Sequence, residues 1–459
     1  MAANLESSFV RHVVHPLWAW RDHPAYKRYL VRFQKSQYYN KEQLAELQRA
    51  QVSDLLHHAY AHCSFYRDRM QAAGLSPKDF GDVACLRALP TLTKTDIQRN
   101  MAGLQADNIP ESARQRNQTG GSTGAPLQFY VDKERLDSRM ASTVRHDAWA
   151  NYGPGDWLAT LWGARLDLAQ EDTFANRMRN RLLYRSISLN TSAVTEKDWQ
   201  VFLADVRRFK PRAMLAYAQA AVLFADYVRE HKITDITFDS IITSAEVLLP
   251  GQREYLQETF KGTVFNRYGC REVSVIASEC EHHHGLHVNA DALYVEIEPD
   301  TTLPDNSGKV LITDMFNRSM PLIRYEIEDI ASWSAEQQCP CGRKLPLIND
   351  LQGRSTDFLI MPSGRKVSGP SLTLVIADVA ELQHMQIVQD AAEHIILRVV
   401  PGKGWSTSVE DTLRKRLALY LEPGVRADVE ICTELEISAS GKHRFVINRL
   451  KPQAASPVR

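Results

Sequence analysis

The rhythm of apolar and polar positions changes several times along the chain. Asn40 is placed to cap a helix that opens KEQLAELQRAQVSDLLHHAYAHC. Within it Leu44, Leu47, Val52, Leu55 and Leu56 recur at mixed three- and four-residue spacings, which predicts helix across residues 40–75. Pro90 closes that region, and TLTKTDIQ opens a second helix capped by Thr93 or Thr95. The stretch NQTGGSTGAP has no period and reads as a loop, and LQFYV after it reads as a short strand. From 135 to 260, short apolar runs alternate with helical patterns: WLATLW, AMLAYA before AAVLFADYVREH, and SIITSAEVLL before GQREYLQETF. That alternation predicts an α/β arrangement whose sheet is covered by helices. Between 286 and 335, LHVNADALYVEIEP, GKVLITDM and PLIRYEIEDIASWS read as consecutive strands separated by turn residues. After Gly353 the pattern is that of a smaller α+β unit, with strands near 357–367, 384–400 and 425–437 and a helix near 407–421. No internal repeat or low-complexity block interrupts this order.

Length and charge narrow the class. A chain of 459 residues exceeds one ordinary core and predicts two or three domains. Lys+Arg and Asp+Glu both number 55, so the formal net charge is zero, which argues against a protein that coats nucleic acid. No apolar run approaches the ~20 residues of a membrane span. The N-terminal MAANLESSFVRHVVHPLWAW lacks the basic and apolar regions of a secretory signal, so a cytoplasmic location is expected. Seven cysteines, an odd and modest count, argue against a disulfide framework.

The first chemical signal is Thr119-Gly120-Gly121-Ser122-Thr123-Gly124-Ala125-Pro126. Glycines let backbone N–H groups approach an anion, and the hydroxyls add donors, so the composition is that of a phosphate cradle. It lacks the Gly-Lys-Ser/Thr ending of a P-loop. A Gly/Ser turn between two elements accounts for the segment equally well when it is taken alone.

The downstream motifs alter that balance. Ser244-Ala245-Glu246, Arg267-Tyr268-Gly269-Cys270-Arg271-Glu272, Arg324-Tyr325-Glu326-Ile327-Glu328-Asp329, Gly353-Arg354 and Ser440-Gly441-Lys442 follow in order. Together with the glycine-rich loop, this set resembles the adenylate-forming superfamily, in its phenylacetate–CoA ligase-like, CapK-like branch. HAYAHCSFYRDRM and LPTLTKTDI add to the likeness, which spans nearly the whole chain. The resemblance implies an α/β fold: a large, layered adenylation domain over residues 1–352 and a small α+β lid over 353–459.

It also implies chemistry. ATP and a carboxylic acid, with an aromatic acid favoured, would give an acyl-AMP and pyrophosphate, and coenzyme A would then take the acyl group. Residues 119–124 would hold the β- and γ-phosphates, and Glu272 would bind Mg2+. Ser244, Ala245 and Glu246 would form the adenine-side turn, with Arg267, Tyr268 and Gly269 beside it. Asp329 would accept from the ribose hydroxyls, and Arg354 would contact ribose or phosphate. Lys442 would be the catalytic lysine, bridging the carboxylate and the α-phosphate. Each has an ordinary structural alternative: a strand-end ion pair for Asp329, a core tyrosine for Tyr268, a solvated loop lysine for Lys442. Two departures stand out. Ala125 occupies a place where many members carry lysine, and Thr356, followed by Asp357, lies where the hinge commonly has an acidic residue.

Cys339-Pro340-Cys341 is a tight turn, and Cys280 precedes His282, His283, His284 and His287. Two thiolates on a turn plus a Cys/His cluster offer four tetrahedral ligands, although the spacing is not that of a standard zinc finger. By resemblance this is a structural Zn2+ site held by Cys280, His287, Cys339 and Cys341, with His282 as the substitute for His287. Cys63, Cys85, Cys270 and Cys432 read as ordinary thiols. Trp162 and Tyr217 are candidates to line an apolar acid pocket, or plain core. A homodimer is a family-level expectation. Two rival functions remain: transfer of the acyl group to an amine or hydroxyl without CoA, and a silent nucleotide-binding relative.

Overall fold

The structure, a computed structural model, describes residues 2–119, 127–162, 173–191, 194–249, 251–300, 303, 307–354, 358–363, 365–368, 379, 381–418, 421–436 and 446–450. The N-terminal region is helical. The helix Lys41–His62 begins where the sequence predicts it, because Asn40 accepts from the Gln43 backbone N–H while the Gln43 side chain accepts from that of Asn40. Leu44, Val52, Leu55 and Leu56 form its buried face. Of the two cap candidates after Pro90, Thr93 caps the helix Lys94–Arg99, in a reciprocal pair with Asp96.

Strands β1 (Arg114–Gln118) and β2 (Gln128–Asp132) form an antiparallel hairpin across the glycine-rich segment. Then follow β3 (Leu158–Trp162), β4 (Ser186–Asn190), β5 (Ala213–Tyr217), β6 (Ser240–Ser244) and β7 (Thr263–Cys270). These pair in parallel, in the order β4-β3-β5-β6-β7. The helices Ala218–Glu230 and Gln252–Phe260 make the crossovers between β5, β6 and β7. All five residues of β6 are buried, as befits a parallel strand covered on both faces.

Beyond β7 the same sheet continues antiparallel through β8 (Ser274–Ser278), β9 (Leu286–Val288), β10 (Leu293–Pro299), β11 (Gly308–Asp314), β12 (Tyr325–Trp333) and β13 (Leu347–Arg354). Its eleven described strands run β10-β11-β12-β13-β9-β8-β7-β6-β5-β3-β4. PLIRY therefore enters the sheet only at Tyr325. The antiparallel half shares one core with the N-terminal helices, whereas the parallel half has its own, around Phe202, Phe224, Phe260 and Ile241.

The C-terminal residues build a separate small core around Leu359, Ile387, Leu397, Leu413 and Leu417. Here β14 (Phe358–Ile360) pairs with β15 (Lys366–Ser368). Strands β16 (Leu382–Ala391), β17 (His394–Pro401), β18 (Arg426–Ile431) and β19 (Val446–Asn448) form a four-stranded sheet in the order β18-β17-β16-β19, with the helix Thr407–Ala418 against it. The stretch expected near 384–400 as one strand is a hairpin, closed by the pairing of Ala391 with His394. No helix among the described residues is long and apolar enough to cross a membrane.

Candidate active site and metal centre

Several of the residues expected at the nucleotide lie at the carboxyl ends of the parallel strands, where open α/β sheets bind ligands. Tyr217, Ser244 and Arg267 are register neighbours across β5, β6 and β7. Tyr268 follows on β7, and its phenol donates to Asp329 Oδ2 at 2.8 Å. Asp329 leaves β12 at an irregularity where the pairing with β11 jumps from Lys309↔Ile330 to Leu311↔Glu326. Glu328 within it has φ of +67°. Such a bulge re-aims the side chains it carries. Lys94 pairs with Glu328 at 2.5 Å and anchors the bulge to an N-terminal helix.

Tyr325, also on β12 and fully buried, donates to Glu272 Oε1 at 2.8 Å. Burial, with the Glu272 charge beside it, holds the Tyr325 phenol well above its ordinary range, so it stays a donor. Opposite Asp329 on the next strand lies Arg354. Tyr268, Glu272, Asp329 and the Arg354 backbone are thus brought together from three separate sequence motifs.

Two of the expected nucleotide contacts hold other partners. The Arg267 guanidinium donates to Asp147 at 2.7 Å, an ion pair with both side chains largely buried. Burial pushes the Asp147 carboxyl up and Arg267 pulls it back down. Glu246 accepts from the Gln219 backbone N–H at 2.9 Å and so caps the helix Ala218–Glu230. Ala245 between Ser244 and Glu246 has φ of +66°, an unfavourable conformation for a residue with a Cβ. Thr119 closes the neck of the glycine hairpin, its N–H donating to Leu127 O and its Oγ1 accepting from Leu127 N–H. Gly120, Gly121, Ser122, Thr123, Gly124, Thr356, Asp357 and Lys442 lie outside the described residues.

Two further features border the site. Trp162 and Tyr217 sit at strand ends with ring centroids 4.2 Å apart. Burial, with Glu272 nearby, raises the Cys270 thiol well above its ordinary range, which disfavours the thiolate that a nucleophile needs.

A second cluster lies on β9 and in the turns before β9 and β13. The ligand atoms of Cys280, His287, Cys339 and Cys341 all fall within 4.8 Å of one another. Cys280 Sγ and Cys339 Sγ are 3.5 Å apart, and Cys341 Sγ is 3.3 Å from His287 Nε2. A tetrahedral zinc with bonds of about 2.3 Å to sulfur requires ligand separations of about 3.7 Å, so the donor set and its spacing fit that ion. His287, on β9, occupies the place for which His282 was the alternative. Burial lowers the His287 ring to about 4, which keeps it neutral and able to ligate. Burial pushes the Cys280 and Cys339 thiols up. At Cys341 the same effect is outweighed by Arg343, whose backbone N–H reaches the sulfur at 3.4 Å. Arg343 also grips Glu281 at 2.9 Å and lies over the Trp149 ring, so the cluster has an ordered surround.

Sequence reasoning assigned no role to Tyr325, Asp147 or Arg139, and none of them carries a local signal. Tyr325 lay inside a quoted motif, yet its partner Glu272 is 53 residues away.

Known proteins place this architecture. The CapK C-terminal domain family matches residues 359–449. Phenylacetate-coenzyme A ligase of Thermus thermophilus is 27% identical over 359 residues, covering 76% of this chain and 78% of that protein. Over most of its length the chain is similar to ligases of the adenylate-forming superfamily. Protein CapK of Staphylococcus aureus is 22% identical and covers 89% of this chain and 90% of its own length. A crystal structure of 2-hydroxyisobutyryl-CoA ligase in the postadenylation state superposes with a TM-score of 0.73 at 20% identity, covering 89% of this chain and 90% of that one. That likeness, over most of both chains, is one of fold.

Proposed function

We propose that this protein is an AMP-forming acid ligase, which activates a carboxylic acid with ATP and passes the acyl group to coenzyme A. The observation that carries the reading is the paired anchoring of two carboxylates, Asp329 by Tyr268 and Glu272 by Tyr325, at the strand ends below the glycine hairpin. Phenylacetate-coenzyme A ligases covering most of the chain support both the reaction class and the choice of acceptor.

In the first half-reaction a carboxylate oxygen of the acid attacks the α-phosphorus of ATP, and pyrophosphate leaves with the electron pair of the broken P–O bond. Residues 119–124 hold the β- and γ-phosphates through backbone N–H groups. Asp329, fixed by Tyr268, retains lone pairs to accept from the ribose hydroxyls. Arg354 serves the ribose or phosphate from the facing strand, and Ser244, Ala245 and Glu246 shape the adenine side. Glu272 offers the hard oxygen donor that Mg2+ prefers, and the ion would neutralise charge on the phosphates. Lys442 approaches the acyl and α-phosphate oxygens, where charge builds in the transition state. In the second half-reaction the CoA thiolate attacks the acyl carbon and AMP departs. Residues 1–352 act as the adenylation domain and 353–459 as the lid. Trp162 and Tyr217 line the acid pocket, which favours an aromatic acid. Zinc at Cys280, His287, Cys339 and Cys341 is structural, because four protein ligands leave no open position. The reaction belongs in the cytoplasm, where ATP and reduced thiols are kept.

A second reading puts an amine or hydroxyl acceptor in place of CoA. The test is a pyrophosphate-release screen with ATP, Mg2+ and a panel of aryl and aliphatic acids, each with and without CoA. Acid-dependent release enhanced by CoA, with acyl-CoA seen by mass spectrometry, is the expected result. Release indifferent to CoA selects the other acceptor. Absence of release with every acid, from protein that binds ATP, overturns the ligase reading.

A further inference from the structure

Ala125 brings no positive charge to the glycine-rich segment, so cations on neighbouring elements are the candidates to meet the ATP phosphates. Two arginines converge on the neck of the hairpin. Arg271 lies in the turn between β7 and β8, one residue before Glu272. Its Nε donates to Asn117 Oδ1 at 3.1 Å. Asn117 stands on β1 two residues before Thr119, and its Oδ1 also accepts from the Gln118 backbone N–H at 2.9 Å. The guanidinium is therefore seated at the last rungs of β1, beneath the point where Thr119 and Leu127 tie the loop closed.

Behind it, Arg139 donates to the Arg271 backbone carbonyl at 3.2 Å. The helix that carries Arg139, Lys133–Trp149, cannot shift easily. Arg135 on it is fully buried, pairs with buried Asp314 and reaches Val273 O at 2.7 Å. Arg145, on its next turns, pairs with buried Asp291 at 2.6 Å. Burial lowers the Arg139 guanidinium to about 10, with Arg135 and Arg271 adding like-charge repulsion. Positive charge gathered in a poorly solvated place is relieved by a bound anion. Arginine, with its planar fork of donors, suits phosphate oxygens.

We propose that Arg271 is the cationic ligand of the β- and γ-phosphates of ATP in this protein, taking the part of the absent loop lysine, and that Arg139 is the residue that positions it. The proposal rests on the adenylation reading and deepens it. It places on one turn both the arginine that grips the outer phosphates and the carboxylate, Glu272, that holds their metal ion. Pyrophosphate, once formed, leaves against that same grip.

The test is equilibrium binding of Mg-ATP and of AMP to the full chain, by titration calorimetry, because AMP lacks the two outer phosphates. Arg271→Gln should weaken ATP about 10- to 100-fold and AMP less than about twofold, the loss expected for one charge-assisted contact. Retained AMP binding doubles as the folding control. Arg271→Lys should recover part of the ATP affinity, and Ala125→Lys added to Arg271→Gln should recover part as well. Arg139→Gln should raise the KM for ATP with a smaller change in kcat. Equal losses of ATP and AMP binding would mean a structural role and overturn the proposal. Unchanged ATP binding in Arg271→Gln overturns it while leaving the adenylation reading intact. Wild-type protein that binds neither nucleotide removes both.

Discussion

The candidate metal cluster, on β9 and in the turns before β9 and β13, and the candidate nucleotide face, at the ends of β5 to β7 and on β12, are assembled in different ways. The cluster draws four short side chains from three nearby segments, and their ligand atoms already lie within 4.8 Å of one another. Folding alone completes it. On the candidate nucleotide face the described residues pre-set carboxylate orientation, through Tyr268–Asp329 and Tyr325–Glu272. The other candidates, the glycine-rich segment and Lys442, come from stretches of a different composition: polar, aperiodic and rich in glycine and serine. The cluster is enclosed by its own residues, whereas each of the two carboxylates has more lone pairs than its phenol donor takes up.

That contrast breaks first at Lys442. Lys442→Ala should cut acyl-AMP formation about 100- to 1,000-fold, a loss typical of a transition-state donor, with ATP binding largely kept. Acid-dependent pyrophosphate release measures it, and near-normal turnover would remove Lys442 from the chemistry. Next, Tyr325→Phe leaves Glu272 without its phenol donor. It should lower kcat/KM for Mg-ATP about 10-fold, the cost of a lost hydrogen bond to a carboxylate. A shift in the Mg2+ concentration needed for half-maximal rate would mark the effect as acting through Glu272.

Cys339→Ser addresses the other site. It should abolish stoichiometric zinc by atomic emission and lower the melting temperature by roughly 5–10 °C. Wild-type protein purified without chelators and free of metal would remove the zinc assignment.

The smallest effect concerns protons. Burial lowers His15 to about 4, and burial beside Arg145 and Arg267 takes His146 well below its ordinary value of 6.5. Both rings are neutral when folded and charged when unfolded at mildly acid pH. Their contribution is complete above about 6.5 and is lost as the pH falls towards 4, because the unfolded chain binds more protons. The urea midpoint should decline across that window, and His15→Asn should flatten part of the decline. A midpoint independent of pH there would contradict the buried neutral rings.

Much of the scaffold was legible because it is written in local periods. The helix after Asn40, the cap at Thr93 and the βαβ rhythm from 135 to 260 need only neighbours along the chain. The cluster was legible because thiol and imidazole side chains at close spacing carry their own chemistry. The hydrogen bonds that orient the active carboxylates were not, since Tyr268 and Asp329 are 61 residues apart and meet through sheet register. The β16–β17 turn was missed for a related reason. Apolar alternation continues on both sides of a short polar interruption, and only the pairing of Ala391 with His394 reveals the reversal. Arg267 and Glu246 show the converse: motif membership named them, and packing gave them partners in the scaffold.

The placement of β13 has a practical consequence for dissecting this molecule. It is the last strand of the large sheet in sequence but an inner one in space, wedged between β12 and β9. Its first residue, Leu347, pairs with His287, and its last, Arg354, with Asp329. An N-terminal fragment trimmed before Leu347 would open a slot in the middle of the sheet. The long edge of β12 and the short edge of β9 would turn their backbone donors and acceptors to solvent there, ready to recruit strands from other molecules. Such a fragment would precipitate or form fibres, whereas one that runs through Arg354 would keep its sheet sealed.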